Sequence, residues 1–147
     1  MNKQTLKQII LEKQQEIVNR PLFERRYDFC EKMNYVFIGV RRAGKSYALY
    51  QRIQQMVADG HSAEEILYID FEDNRLDNFE NDDFQRLLEA YSELFDHEPL
   101  LFLDEVQDAP SWPLFVNRLL KGGMHLVITG SNSHMLSSEL ATHLTGR

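Results

Sequence analysis

The chain has 147 residues, enough for one domain around one core, and 43% hydrophobic with 27% charged residues excludes an intrinsically disordered composition. No apolar run approaches the ~20 residues of a membrane helix, and the opening MNKQTLKQII lacks the long apolar stretch and cleavage site of a secretory signal. The net charge of −7 argues against a general nucleic-acid coat. The single Cys30 cannot form an internal disulfide, reads as packing, and fits a cytoplasmic location.

Leu6, Ile9, Ile10 and Ile17 fall mainly on one side of a first helix. Pro21 separates it from a second helical segment running to about Met33, and residues 1–33 are expected to form an N-terminal helical segment before a core over 34–147. Arg20, Arg25 and Arg26 lie beside Phe23, Tyr27 and Phe29. They read as a solvated helix face whose aromatics dock on the core, with a local basic patch as the alternative.

The period then changes. Tyr35–Ile38 is a short continuous apolar run, the pattern of a strand buried on both faces. Three more follow: Ile66–Ile69 before Asp70, Leu100–Leu103 before Asp104, and Leu126–Ile128 before Thr129 and Gly130. Helices are expected between them at about 45–59, 82–95 and 113–120, and a last one at about 134–143. Alternating strands and helices predict an α/β fold, a parallel sheet covered on both faces. Ligands then gather at the carboxyl ends of the strands, where this chain puts glycine, hydroxyl and acidic residues.

Gly39-Val-Arg-Arg-Ala-Gly44-Lys45-Ser46 fits the Walker A pattern at every fixed position, between a predicted strand and a helix. Gly39 and Gly44 permit the tight curl that points backbone amides at phosphate oxygens. The following helix adds its unsatisfied amides and positive dipole end. Lys45 brings an ammonium to the outer phosphates, and Ser46 offers a hydroxyl to magnesium. Arg42, Ala43 and Tyr47 complete the candidate nucleotide contacts. Arg41 and Arg42 either add charge near the phosphates or face solvent or a partner.

Leu100-Leu-Phe-Leu-Asp104-Glu105 is a Walker B arrangement. Asp104 is expected to hold Mg2+ through a water, and Glu105 to polarise an attacking water. That adjacent glutamate points to ATP rather than GTP. At the end of the fourth strand, Asn132 is the first candidate for a γ-phosphate sensor, with Ser131 and Thr129 behind it; a cap on the next helix is the competing reading. Asp70, Glu72 and Asp73, near Arg75, read as a solvated acidic loop, with a supporting role near magnesium as the alternative. The five histidines show no zinc-like spacing. Trp112 is expected to pack where the loop after Glu105 enters its helix.

These motifs, with Ile69-Asp-Phe-Glu-Asp73, Leu101-Phe-Leu-Asp-Glu-Val-Gln107, Ile128-Thr-Gly-Ser-Asn-Ser133 and the ending Ser138-Glu-Leu-Ala-Thr-His-Leu-Thr-Gly-Arg147, resemble the predicted AAA-superfamily P-loop ATPases of bacteria and archaea. The resemblance begins near Arg20. It implies a three-layer P-loop NTPase core with strand order 5-1-4-3-2, followed by a winged-helix-like segment and a C-terminal nuclease-like domain. Lys45 and Ser46 carry over as nucleotide ligands, Asp104 and Glu105 as the Walker B pair, and Asn132 or Ser131 as sensor. The chain stops at Arg147, short of the fifth strand, so an expressed fragment is expected.

The reading is an ATPase core that couples ATP binding and hydrolysis to a conformational change. A slow nucleotide-dependent switch or scaffold and a small-molecule P-loop kinase are the alternatives. Arg147 stands where such proteins carry an arginine that reaches a neighbour's γ-phosphate, or else caps a helix end. With that arginine terminal and a strand missing, the fragment alone is expected to turn over ATP poorly and to be open to homo-oligomer formation. Nucleic acid is expected only through a downstream domain, and the effector partner is unassigned.

Overall fold

A computed structural model describes residues 1–21, 35–38 and 44–131, with the backbone alone at 35–38. The expected segment to Met33 and the expected helix at 134–143 lie outside the described residues, as do Cys30, Arg25 and Arg26. Four strands form one parallel sheet: β1 (Tyr35–Ile38), β2 (Ile66–Asp70), β3 (Leu100–Asp104) and β4 (Leu126–Gly130), in the order β1-β4-β3-β2. That is the expected α/β P-loop order for these strands. The α-helices among the described residues are α1 (Lys3–Asn19), α2 (Lys45–Ala58), α3 (Asp83–Leu94) and α4 (Trp112–Lys121). No described helix is long and apolar enough to cross a membrane.

The continuous apolar runs of β2, β3 and β4 are explained by burial on both sides. Leu67, Ile69, Leu101, Leu103, Leu126 and Ile128 face one core with Phe84 and Leu87 of α3 and Phe115 and Val116 of α4. The alternate residues Ile66, Tyr68, Phe102 and Val127 face a second core with Leu49, Ile53 and Met56 of α2. This is the period-2 alternation of a strand with an apolar neighbour on each face. Trp112 belongs to the first core, at the entry to α4.

Helix α1 covers the β2 edge. Asn2 caps its start, the side chain accepting from the Gln4 amide at 2.7 Å. Leu6, Ile9 and Ile10 join the first core and Ile17 the second, so the helix straddles the sheet margin. Between them the buried Gln14 donates Nε2 to the carbonyls of Glu64 (3.2 Å) and Ile66 (2.9 Å). A bare strand edge is a template for another chain, and an overlying helix with a matched polar group removes it. Gln54 of α2 donates to the carbonyls of Ile17 and Arg20 and ties the end of α1 to α2.

Candidate functional site

Register places the chemistry. Asp70 pairs with Asp104 across β2 and β3, and Ile38 with Gly130 across β1 and β4, so the carboxyl ends of the strands form one rim. Helix α2 opens on this rim. Its cap, Gly44, has φ 91°, a left-handed conformation costly for any residue with a Cβ, and Lys45 is the first helical residue. Lys45 is 8% exposed. Its Nζ lies 3.0 Å from Glu105 Oε1 and donates to the Gly130 carbonyl (3.0 Å) and to Ser131 Oγ (2.7 Å).

Asp104, 1% exposed, is held by hydroxyls from three elements. Ser46 Oγ of α2 donates to its Oδ2 at 2.7 Å. Tyr68 of β2 donates to the same oxygen, and Thr129 of β4 donates to Oδ1. The Tyr68 hydroxyl is pushed well above the ordinary tyrosine range, by burial first and then by the Asp104 charge, so it stays a donor. Tyr50 of α2 lies behind it, hydroxyl to hydroxyl at 3.4 Å.

Glu105 sits in different surroundings. Its backbone is left-handed, φ 53° and ψ 49°, at a cost of about 1–2 kcal/mol for a residue with a Cβ. Its amide donates to Thr129 Oγ1 at 2.9 Å, an interaction of about 0.5–1.5 kcal/mol that helps to hold the bend. Thr129 therefore serves both carboxylate residues, as donor to Asp104 and as acceptor from Glu105. The Glu105 carboxylate accepts from Ser131 Oγ (2.7 Å to Oε1) and from Gln107 Nε2 (2.7 Å to Oε2). Gln107 in turn accepts the Ser131 amide at 3.3 Å. Burial pushes the Glu105 carboxyl upward, but Ser131, Gln107 and the Lys45 ammonium outweigh it and bring the group below its ordinary range.

The structure thus brings together Lys45, Ser46, Asp104, Glu105, Thr129 and Ser131. Gly39, Arg41, Arg42, Ala43, Asn132 and Arg147 lie outside the described residues. Tyr47 is 41% exposed on α2, with the Arg20 guanidinium 5.6 Å from its ring centre and 4.9 Å from that of Tyr50. Of the acidic loop, Asp73 pairs with Arg75 at 2.7 Å, and Arg75 also reaches Glu12 of α1. Asp70 is half-buried; burial first, and the neighbouring Asp104 as well, raise its carboxyl to about 6 against the pull of the Glu72 amide. Sequence reasoning missed Tyr68 and Gln107 as members of the site. Tyr68 reads as one more apolar residue of a strand, and only the β2–β3 register aims its hydroxyl at Asp104. Gln107 is two residues past Glu105, a spacing that means nothing until the chain turns sharply there.

The donor set suits a divalent cation with a phosphate. Ser46 gives its proton to Asp104 and keeps oxygen lone pairs, and Asp104 adds carboxylate oxygen, the hard donors magnesium takes. The Lys45 ammonium beside the α2 N-terminus suits the anion. A parallel sheet in this order with a lysine at the first turn of the helix after β1 defines a P-loop NTPase fold.

The comparisons agree with that class. The family model described as AAA domain matches residues 31–147, and the chain belongs to that family. It is a P-loop, ATPase-like nucleotide-binding domain. The chain is 42% identical over 112 residues to the uncharacterized protein MJ1544 of Methanocaldococcus jannaschii, covering 76% of this chain and 24% of that protein. It is 38% identical over 114 residues to an uncharacterized protein of Haemophilus influenzae, covering 76% and 28%. The chain therefore spans about a quarter of the length of these relatives.

Proposed function

We propose that residues 34–147 form the Mg-ATP site of an ATPase, with 1–33 as an N-terminal helical segment, and that the full-length protein couples hydrolysis to a conformational change. Gly39–Ser46 is the Walker A loop, and Asp104 with Glu105 the Walker B pair. Lys45 and the α2 amides bind the outer phosphates, and Arg42, Ala43 and Tyr47 line the nucleotide. Ser46 and Asp104 would hold magnesium, which when bound would supply charge neutralisation at the phosphate oxygens. Glu105 orients and deprotonates the attacking water, with Ser131, and Asn132 beyond it, linking that water to the γ-phosphate. Arg147 acts on a neighbouring copy's nucleotide in a homo-oligomer. An effector domain downstream, nuclease-like in the resemblance, would carry any contact with nucleic acid.

The observation that carries this reading is the meeting of Lys45, Ser46, Asp104 and Glu105 at one rim, each through a direct contact of 2.7–3.0 Å with another of the four. The Lys45–Glu105 ion pair also favours the second reading, a slow nucleotide-dependent switch. A phosphate must compete with Glu105 for Lys45, and the freed Glu105 then depends on Ser131 and Gln107 for its aim.

Thermal melts with and without Mg-ATP or Mg-ADP test the binding claim. Ligand at about 100 times its Kd is expected to add roughly 2.7 kcal/mol of stability to the wild type and far less to Lys45→Ala. Equal shifts in the two proteins contradict the assignment.

A further inference from the structure

We propose that Tyr68 is a positioning residue of the magnesium site, fixing the Asp104 carboxylate from the neighbouring strand so that its remaining lone pair meets a metal-bound water. The inference rests on the Mg-nucleotide reading above and names a residue outside both motifs.

Strand β3 lies between β2 and β4, and each neighbour sends one hydroxyl to a different oxygen of Asp104. Thr129 of β4 donates to Oδ1 and Tyr68 of β2 to Oδ2. Two donors from opposite sides fix both the tilt and the rotation of the carboxylate plane. Ser46 adds a third hydrogen bond at Oδ2, 2.7 Å long, while its own lone pairs stay open to a cation. A carboxylate has about four lone-pair sites. Three are filled by hydroxyls of the described residues, which leaves one, and magnesium bound through water needs one such acceptor.

The phenol has no packing reason to be there. The Tyr68 ring is 0% exposed among Leu49, Ile53, Met56, Phe102 and Val127, a cluster that phenylalanine would fill equally well. A buried hydroxyl is costly unless it is hydrogen-bonded, and here it donates to the carboxylate. The other contact, with the Tyr50 hydroxyl, is long at 3.4 Å. Partners that orient metal ligands typically matter by about 10–100-fold in metal affinity.

The test is a titration of magnesium against binding of a fluorescent ADP analogue, in the full-length wild type and Tyr68→Phe, with the magnesium-free affinity measured in chelator. Tyr68→Phe is expected to need about tenfold more magnesium or beyond for half-maximal effect, with the magnesium-free affinity unchanged. A purely structural role would weaken both forms of binding alike and would overturn the proposal, as would an unchanged magnesium midpoint. Should the phenylalanine variant fold poorly, para-aminophenylalanine in place of Tyr68 keeps the size with a weaker donor, and the same displacement, smaller, is expected; no displacement overturns it. A wild type whose binding ignores magnesium removes the Mg-nucleotide reading and this inference together, whereas a responsive wild type matched by its variant removes only this inference.

Discussion

Two carboxylates stand side by side at the end of β3, and the molecule surrounds them differently. Asp104 is pinned by neutral hydroxyls from α2, β2 and β4, all of them on regular elements. Glu105 is held by the Lys45 ammonium, the Ser131 hydroxyl and the Gln107 amide, on a backbone bent into the left-handed region. The first arrangement fixes one geometry. The second is built from groups that can exchange partners, because Lys45 is also the phosphate ligand of the proposed site. The comparison teaches that neighbouring carboxylates can be set apart by the charge and the partners of what touches them.

Replacing a partner on the exchangeable side sharpens this contrast. Gln107→Met keeps the length of the side chain and removes the amide bridge between Glu105 and the Ser131 backbone. Hydrogen bonds to charged groups are worth about 1.5–3 kcal/mol, so kcat is expected to fall roughly tenfold or more while nucleotide affinity holds. Steady-state phosphate release with a parallel binding measurement checks it; a variant that loses affinity and keeps kcat would place Gln107 with the ground-state ligands instead.

A smaller effect probes the static side. Asp70 neighbours Asp104 in register, and burial raises its carboxyl from 3.8 to about 6. A carboxyl whose folded pKa is raised contributes stability that is complete below the unfolded value and disappears as pH rises through the folded one. The wild type is therefore expected to lose stability between about pH 4 and 6 through this group. Asp70→Asn should melt higher than the wild type at pH 7, with the gain vanishing below pH 4. A gain that persists at low pH would mean that the amide acts by a new contact and not by removing charge.

Much of this architecture is legible in the sequence. Tyr35–Ile38 begins and ends where expected, and the other three runs continue as strands into Asp70, Asp104 and Gly130. Short apolar runs between amphipathic segments have few other solutions than a doubly covered parallel sheet. Lys45, Ser46, Asp104 and Glu105 stand out because the Walker patterns restrict residue type and spacing, and the structure brings the four to one rim. Contacts across the sheet were not visible. Tyr68 and Asp104 are 36 residues apart and meet only through strand register. Gln14 looks like an ordinary polar residue of an amphipathic helix, yet it serves carbonyls at the β2 edge, a role set by where α1 docks. The left-handed turn at Glu105 has no glycine or asparagine to announce it, and the Thr129 acceptor that helps to hold it comes from another strand.

The division of labour between the two carboxylates is tested most directly by Glu105→Gln in the full-length protein, with Mg-ATP binding and phosphate release measured on the same preparation. A positioned base contributes typically ~10²–10⁴-fold. The expected result is wild-type affinity, or tighter as Lys45 is released from its ion pair, with hydrolysis reduced by at least about a hundredfold. Hydrolysis at the wild-type rate would contradict the account and move the water-activating role away from Glu105.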